Sequence, residues 1–390
     1  MKNNSPKRVS NGVDTKSKKI LAAYKKQGAR IETGARVKLK AKSDFSLWYT
    51  PGVAVASTHL AKHPEDARLM SIKKNSVAIV SDGSAVLGLG NIGPYGALPV
   101  MEGKALIFKS KANVDAWPLV LDTQDPDEIV RTIQAIAPAF GGINLEDIAA
   151  PKCFDIEKRL IETLSIPVMH DDQHGTAIVV LAGLINAAKV VKKDIKKLKV
   201  VISGAGAAGT AVAKLLISAG TRDIILLDRT GAIYAGRTDL NEHKKELAAL
   251  TNPRRVEGGL DEAMTGADVF IGVSGKGVLH AGHVASMAPH SIVFAMANPE
   301  PEILPEEARK AGAAVIATGR SDFPNQINNS LVFPGIFRGA LDKGVKKITE
   351  ATKLRAARAL AALVSKPSAQ KIIPDMLDSR VMKAVARAVH

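Results

Sequence analysis

The chain has 390 residues, 46% of them hydrophobic and 24% charged, a composition suited to a folded soluble protein with two or three domains. It has no uninterrupted apolar run of the roughly 18 residues expected of a membrane-spanning helix. The single cysteine, Cys153, excludes an intrachain disulfide and any multi-cysteine metal centre. The formal charge of +16 sits at the two ends. Residues 1–40 hold 12 basic and 2 acidic side chains, residues 343–390 hold 11 and 3, and the stretch between them holds 31 and 33. With aromatics at 4% and no basic excess in the centre, neither a nucleic acid nor a membrane is expected as a partner. The first 19 residues lack an apolar signal region, so the expected compartment is the cytoplasm.

In chain order, residues 1–18 are polar and aperiodic and read as a disordered basic lead-in. From Ile20 the pattern turns apolar and periodic. SVAIV (76–80), WPLVLD (117–122) and IPVMH (166–170) read as strands alternating with helical stretches, the rhythm of an α/β fold. Asp125, Pro126 and Glu128 mark a helix start, with an acidic cap, a proline in the first turn and a capping-box partner. That helix is predicted to run through Phe140. The basic stretch 189–199 reads as a solvated helix end and loop. From Leu198 a second series begins: KVVIS, DIILLD, ADVFIGVSG, SIVFAMANP and AAVIATG, with helices between them. These predict a doubly wound parallel sheet. From about Pro334 the chain reads as helices.

The run VVISGAGAAG contains Gly204, Gly206 and Gly209 in a G-x-G-x-x-G pattern, with Ala207 and Ala208 between the last two glycines. It follows a strand and opens a helix, the context a pyrophosphate site needs. The first glycine turns tightly, the second lets backbone approach phosphate, and the third packs helix on strand. A glycine-rich turn that merely packs a helix is the alternative. Asp228, ending the next strand, can accept from a ribose hydroxyl and would repel a 2′-phosphate, which favours NAD over NADP. Arg229 beside it is a possible phosphate partner, so NADP is the alternative.

Two acidic pairs, Glu146–Asp147 and Asp171–Asp172, each follow a short apolar run and project from strand ends. Convergent carboxylates without cysteine suit a hard cation such as Mg²⁺ or Mn²⁺. Capping of the following helices is the other reading of each pair. His170 and His174 read as packing or hydrogen-bonding residues, and Cys153 as a small buried side chain.

The blocks WYTPGVA (48–54), LGLGNIGPYGALPVMEGKA (87–105), INLEDIAAP (143–151), HDDQHGTA (170–177), ANPEPE (297–302) and NQINNSLVFPG (325–335) resemble the signature blocks of malic enzyme, in the same order. The resemblance extends from about residue 20 to the C-terminus and is to the short microbial form. It implies oxidative decarboxylation of L-malate to pyruvate and CO₂ with NAD, or alternatively NADP, and Mg²⁺ or Mn²⁺. Decarboxylation of oxaloacetate and assembly as a homodimer or larger homo-oligomer are also implied. The implied fold is an N-terminal α/β substrate domain over residues 19–162. A Rossmann-like dinucleotide-binding domain with a helical C-terminal segment would follow over residues 163–390.

By the same resemblance the catalytic tyrosine falls on Tyr49 and the lysine on Lys104, with Asp171 beside that lysine. The metal carboxylates fall on Glu146, Asp147 and Asp172. Asn298 and Asn329 match positions that hold substrate or nicotinamide, as does Asn328. Larger members carry an arginine for a substrate carboxylate where this chain has Ala85, which leaves Ser84, an asparagine or backbone N–H groups for that contact. Lys104, its pKa lowered by burial and the cation, is expected to take the malate hydroxyl proton, and Tyr49 to protonate enolpyruvate at C3. Rival readings are a malolactic or amino-acid dehydrogenase and a catalytically silent dinucleotide-binding sensor.

Overall fold

The computed structural model describes residues 15–390. Most of the lead-in expected over residues 1–18 therefore lies outside the described residues. Its last four residues belong to a helix, Thr15–Gln27, whose Lys25 and Lys26 sit in the last turn, where cations favour the helix dipole.

Two parallel sheets organise the rest. The first contains β1 (Ser76–Ser81), β2 (Asp115–Val120), β3 (Gly142–Leu145) and β4 (Val168–His170) in the order β2-β1-β3-β4, every pair parallel. The second contains β5 (Lys199–Ser203), β6 (Asp223–Asp228), β7 (Gly231–Ala232), β8 (Val269–Gly272), β9 (Ile292–Ala295) and β10 (Val315–Thr318). Its order is β10-β9-β8-β5-β6-β7. Only the two-residue β7 runs antiparallel, folding back on β6 where Gly231 turns the chain at φ 124°. This is the α/β architecture expected, with a doubly wound parallel sheet in its second half and helices at its C-terminus.

Side-chain alternation along the strands assigns the faces. Val77 and Ile79 of β1 and Val200 and Ile202 of β5 point into one shared core. Ala78 and Val80 pack with Ile129, Ile133, Cys153 and Ile156 on the outer face of the first sheet. Val201 and Ile225 face a separate cluster outside the second. The helix Asp171–Val190 runs from the end of β4 into the shared core and is apolar on every side. Residues 177–182 are buried without a break, as expected for a helix inside a protein. Among the described residues no helix is long and apolar enough to cross a membrane.

The helix start at Asp125 is as expected in one half. The Asp125 carboxylate accepts from the Glu128 N–H at 2.9 Å, but the Glu128 carboxylate takes the Thr123 hydroxyl and does not return to the cap backbone. The helix also stops at Ile136, not Phe140. Residues Ala137–Ala139 tighten into a 3₁₀ turn around Pro138, which has no N–H to continue the ladder.

Phe108, on the helix Gly93–Ala112, ties the first sheet to the C-terminal helix Phe333–Lys343. Its ring lies 4.7 Å from that of Phe333 and 5.6 Å from that of Phe337, with no solvent exposure. Phe108→Ala should therefore cost about 3–5 kcal/mol, and Phe108→Leu clearly less. Urea denaturation of the two variants checks this; a loss below about 1 kcal/mol for alanine would show that the aromatic cluster does not hold the two parts together.

Candidate active site

Ligands of open α/β sheets bind beyond the carboxyl ends of strands where the strand order reverses. In the first sheet that place is the edge shared by β1 and β3. Glu146 and Asp147 follow β3 directly; the Glu146 N–H donates to Val80 O at 2.9 Å, and the Asn144 amide donates to Glu146 Oε2 at 3.1 Å. Asp147 sits at φ 53°, a left-handed conformation that aspartate tolerates better than most residues. Its N–H donates to Asp172 Oδ2 at 2.8 Å, which joins the two acidic pairs.

Asp171 and Asp172 open the helix Asp171–Val190 at the end of β4. Lys104 reaches them from the helix Gly93–Ala112, its Nζ 2.9 Å from Glu146 Oε1 and in contact with Asp171 Oδ2. The ammonium also lies 4.2 Å from the centre of the Phe333 ring. A side chain at position 175 would collide with Asp171, because its Cβ would lie 1.8 Å from Oδ1; Gly175 is what lets this carboxylate turn toward Lys104. Burial would lower the Lys104 pKa, but Asp171 and Glu146 outweigh it and raise the pKa above the ordinary lysine value. The carboxylates beside Lys104 thus act against the lowering expected from burial and a cation, and on their own hold the amine charged.

One ligand atom each from Glu146, Asp147 and Asp172 lies within 4.8 Å of the others. All are oxygens, the donor set of a hard divalent cation. Burial, and then the charge of Asp172, pushes the Asp147 carboxyl up to about 8, and burial raises Glu146 well above its ordinary value. Asp147 Oδ2 is buried with no hydrogen-bond partner. Three carboxylates crowded together, with a buried oxygen left over, fit the charge and the donors of Mg²⁺ or Mn²⁺.

The glycine loop after β5 matches the needs of a dinucleotide. Gly204 has φ 114°, and a Cβ there would lie 2.7 Å from Val273 O. A Cβ on Gly209 would lie 1.8 Å from Gly204 O, whereas one on Gly206 would meet no protein atom within 4 Å. Gly206 thus faces open space in front of the helix Ala207–Ser218, whose first turn holds Ala207 and Ala208. The loop lines a cleft of about 970 Å³ that runs past Asp228, Arg229 and Lys244 to Pro151 and Phe154 of the first sheet's side.

The remaining predicted residues divide. Asn298 lies beyond β9 with its backbone O against Gly88, where a Cβ would come within 2.0 Å, so the LGLG and ANPE blocks meet. The Asn329 Cβ lies over Gly175, beside Asp171. Asn328 caps a 3₁₀ turn, its Oδ1 accepting from the Ser330 N–H and hydroxyl. The Ser84 hydroxyl donates to Asp82 at 2.6 Å and accepts from the Ala149 N–H at 2.9 Å, so it has no donor left for a substrate carboxylate. Tyr49 is 68% exposed at the end of the helix Lys42–Trp48, and its side chain makes no hydrogen bond or ring contact among the described residues.

Several supporting residues carried no signal in the sequence. Buried Glu157 accepts from the His170 N–H at 2.7 Å, from Gln173 at 3.1 Å and from His174 Nε2 at 3.0 Å, while Lys353 donates to His174 Nδ1 at 2.9 Å. This clamp fixes the turn that carries Asp171 and Asp172, and makes His174 the hydrogen-bonding residue expected. His170 and Cys153 are fully buried, and burial pushes the Cys153 thiol pKa up. Glu302, inside the ANPEPE block, accepts from the Ala297 and Ser274 N–H groups at 3.0 and 3.2 Å and so fixes the loop that bears Asn298.

Comparison with known proteins is consistent along the chain. Residues 28–161 match the malic enzyme N-terminal domain and residues 173–390 the malic enzyme NAD binding domain. The chain is 56% identical to an NAD-dependent malic enzyme of Geobacillus stearothermophilus, over 93% of this chain and 76% of that protein. It is 54% identical to a bifunctional malic/malolactic enzyme of Bacillus subtilis, over 95% and 91%. The crystal structure of an NAD-dependent malic enzyme from Thermotoga maritima superposes with a TM-score of 0.92 at 47% identity, covering 97% of this chain and 99% of that one.

The two glycines of the loop should separate binding from folding. Gly206→Ala places a methyl in open space, so the variant should fold with near-normal stability but lose affinity for dinucleotide. Gly209→Ala should unfold at lower urea, because its methyl meets backbone. Equal stability of the two variants would contradict the packing. The clamp has a pH signature. Burial alone would raise the Glu157 pKa, but His174 and the His170 N–H bring it down to about 2 from an ordinary 4.5. A depressed carboxyl stabilises the fold above its unfolded pKa and loses that contribution as pH falls toward the folded value. The stability gap between wild type and Glu157→Gln should therefore hold above pH 4.5 and shrink between 4.5 and 2; urea curves at pH 7, 4 and 3 measure it.

Proposed function

The chain belongs to the malic enzyme family, and on that premise we propose that it oxidatively decarboxylates L-malate to pyruvate and CO₂, reducing NAD or NADP, with Mg²⁺ or Mn²⁺ on Glu146, Asp147 and Asp172. The observation that carries the reading is the convergence of Lys104, Asp171 and the three carboxylates at one sheet edge, with the loop of Asn298 leading from the nucleotide-binding sheet. When bound, the nicotinamide would accept a hydride from malate C2 and the cation would serve as Lewis acid on the C2 oxygen.

The protein's own groups account for the protons. Lys104 Nζ takes the proton of the C2 hydroxyl. To do so it must first be neutral. Asp171, in contact with Nζ and with its own pKa raised by burial, is placed to accept the ammonium proton. Loss of the C4 carboxylate as CO₂ leaves C3 in need of a proton, which the Tyr49 hydroxyl supplies. The same half-reaction gives oxaloacetate decarboxylation. With Ala85 in place of an arginine and the Ser84 hydroxyl already engaged, the Asn298 and Asn329 amides are the donors we assign to the substrate carboxylates.

Tyr49 and its chain neighbours Trp48 and Val55 are exposed apolar side chains. Burial of this surface between copies supports a homodimer or larger homo-oligomer, and Tyr49 would then leave solvent. Light scattering of the purified protein tests the assembly.

A malolactic reaction is the second reading, favoured by the name of the Bacillus subtilis relative. Incubation with malate, Mn²⁺ and each cofactor decides: pyruvate and reduced cofactor formed one for one support the proposal, and lactate without net reduction supports the alternative. Cofactor binding without turnover would leave a silent sensor.

Asp172→Ala should lower turnover by orders of magnitude while dinucleotide binding at residues 204–228 persists. Lys104→Ala should lose about 10²–10⁴ in malate oxidation. Tyr49→Phe should lose the metal-dependent exchange of pyruvate methyl protons with solvent, which runs the C3 proton step backwards. Unchanged exchange would move the acid role elsewhere, with Lys104 the first candidate.

A further inference from the structure

The turn that presents Asp171 and Asp172 is held by a chain of groups that ends far away in the sequence. Glu157, on the helix Lys152–Thr163, is buried and takes three donors from that turn. The His170 N–H reaches its Oε1, while Gln173 Nε2 and His174 Nε2 reach its Oε2. One donor precedes the two aspartates and two follow them. The carboxylate therefore brackets the pair and keeps the turn from rolling about its own axis.

The position of the ring proton on His174 decides whether this bracket closes. Lys353 stands in the first turn of the helix Glu350–Ala362, 179 residues beyond His174, and is only 9% exposed. A cation gains nothing from the dipole at that end of a helix, so its partners must account for its place. Its Nζ lies 2.9 Å from His174 Nδ1, with the Glu350 carboxylate 3.5 Å away. An ammonium has only protons to give. His174 Nδ1 must then offer its lone pair, which leaves the ring proton on Nε2, aimed at Glu157. Lys353 thus selects the one tautomer in which His174 donates to Glu157, and it supplies the nearby counter-charge for that buried carboxylate. Without the ammonium the ring is free to exchange its nitrogens, and Glu157 stays buried with its charge unbalanced.

We propose that Lys353 and His174 are positioning residues for the cation site, so that the helix Glu350–Ala362 sets how tightly Glu146, Asp147 and Asp172 hold Mg²⁺ or Mn²⁺. This rests on the reading of those three carboxylates as the cation site. Asp172 Oδ2 already accepts from the Asp147 N–H at 2.8 Å, so a roll of the turn displaces two ligands together. The glycine loop at 204–209 follows a strand of the other sheet and is spared.

Electron paramagnetic resonance of Mn²⁺ added to the metal-free, full-length protein tests the assignment without turnover. Lys353→Met should weaken Mn²⁺ binding about tenfold or more, the range typical of groups that orient metal ligands from outside. Lys353→Arg keeps a donor and should retain most of the affinity. His174→Gln can both accept from Lys353 and donate to Glu157, so it should bind Mn²⁺ well, whereas His174→Leu should not. NADH affinity, followed by fluorescence, should stay unchanged in all four variants, and saturating Mn²⁺ should restore most of kcat in Lys353→Met. Wild-type Mn²⁺ affinity in Lys353→Met, or a parallel loss of NADH affinity, would overturn the proposal. Should Lys353→Met fail to fold, the histidine pair decides: equal Mn²⁺ affinity in His174→Gln and His174→Leu is also fatal to it. A wild type that binds no Mn²⁺ would instead remove the cation site on which the proposal rests.

Discussion

Four carboxylates and one ammonium occupy the carboxyl edge of the first sheet, and most of what surrounds them serves to keep them there. Glu146, Asp147 and Asp171 are buried, with Lys104 as their counter-charge. Like charges at such distances in a poorly solvated place repel by far more than a surface ion pair contributes. The fold holds the side chains together against that repulsion, and the carboxyl groups relieve part of it by holding protons more tightly. Asp147 is held in a left-handed conformation, Gly175 leaves the space that the Asp171 carboxylate occupies, and Phe333 lies against the ammonium. The raised Asp147 and Glu146 pKa values express the same stress, a site with a charge deficit that a dication would fill.

The two halves of the molecule are not independent supports for this site. The helix Asp171–Val190 carries Asp171 and Asp172 in its first turn and the shared core along the rest of its length, so any shift of that core moves the carboxylates. Glu157 and Lys353 fix its start from opposite sides, one from the first half and one from the C-terminal helices. The same logic operates at Gly88, whose lack of a side chain lets Asn298 from the second sheet lie against the loop of the first. Close approach is the recurrent reason for glycine here, and it links segments some 200 residues apart in sequence.

Much of this was legible in the sequence because it is encoded locally. The strand–glycine–helix run at 199–218 and the paired acids at strand ends carry their chemistry within a few residues, and the family blocks quoted around them contain Gly88, Gly175 and Glu302 without giving their reasons. What was not legible depends on distance in the chain. Nothing near Lys104 says that Glu146 would share its ammonium with Asp171, and that the two together would outweigh its burial. Nothing near Ser84 says that its hydroxyl would be taken by Asp82 and by the N–H of Ala149. The early stop of the helix at Ile136 is a local miss: Pro138 was visible, but the apolar period continued past it.

The two ligand sites have opposite electrostatics. At the sheet edge, carboxylates outnumber their cation, and the imbalance is buried, where it cannot be screened by salt. At the end of β6, cations outnumber carboxylates, and the imbalance is at the rim of an open cleft. A buried negative excess favours a small multivalent cation held by direct ligation, because little water is there to solvate the charge. A positive excess at a rim tolerates either an anionic or a neutral guest, because solvent screens it when the guest brings no charge. The difference follows from composition and depth together: four carboxylates share one lysine at the buried edge, whereas Arg237 and Lys244 both stand on Asp228 at the open rim.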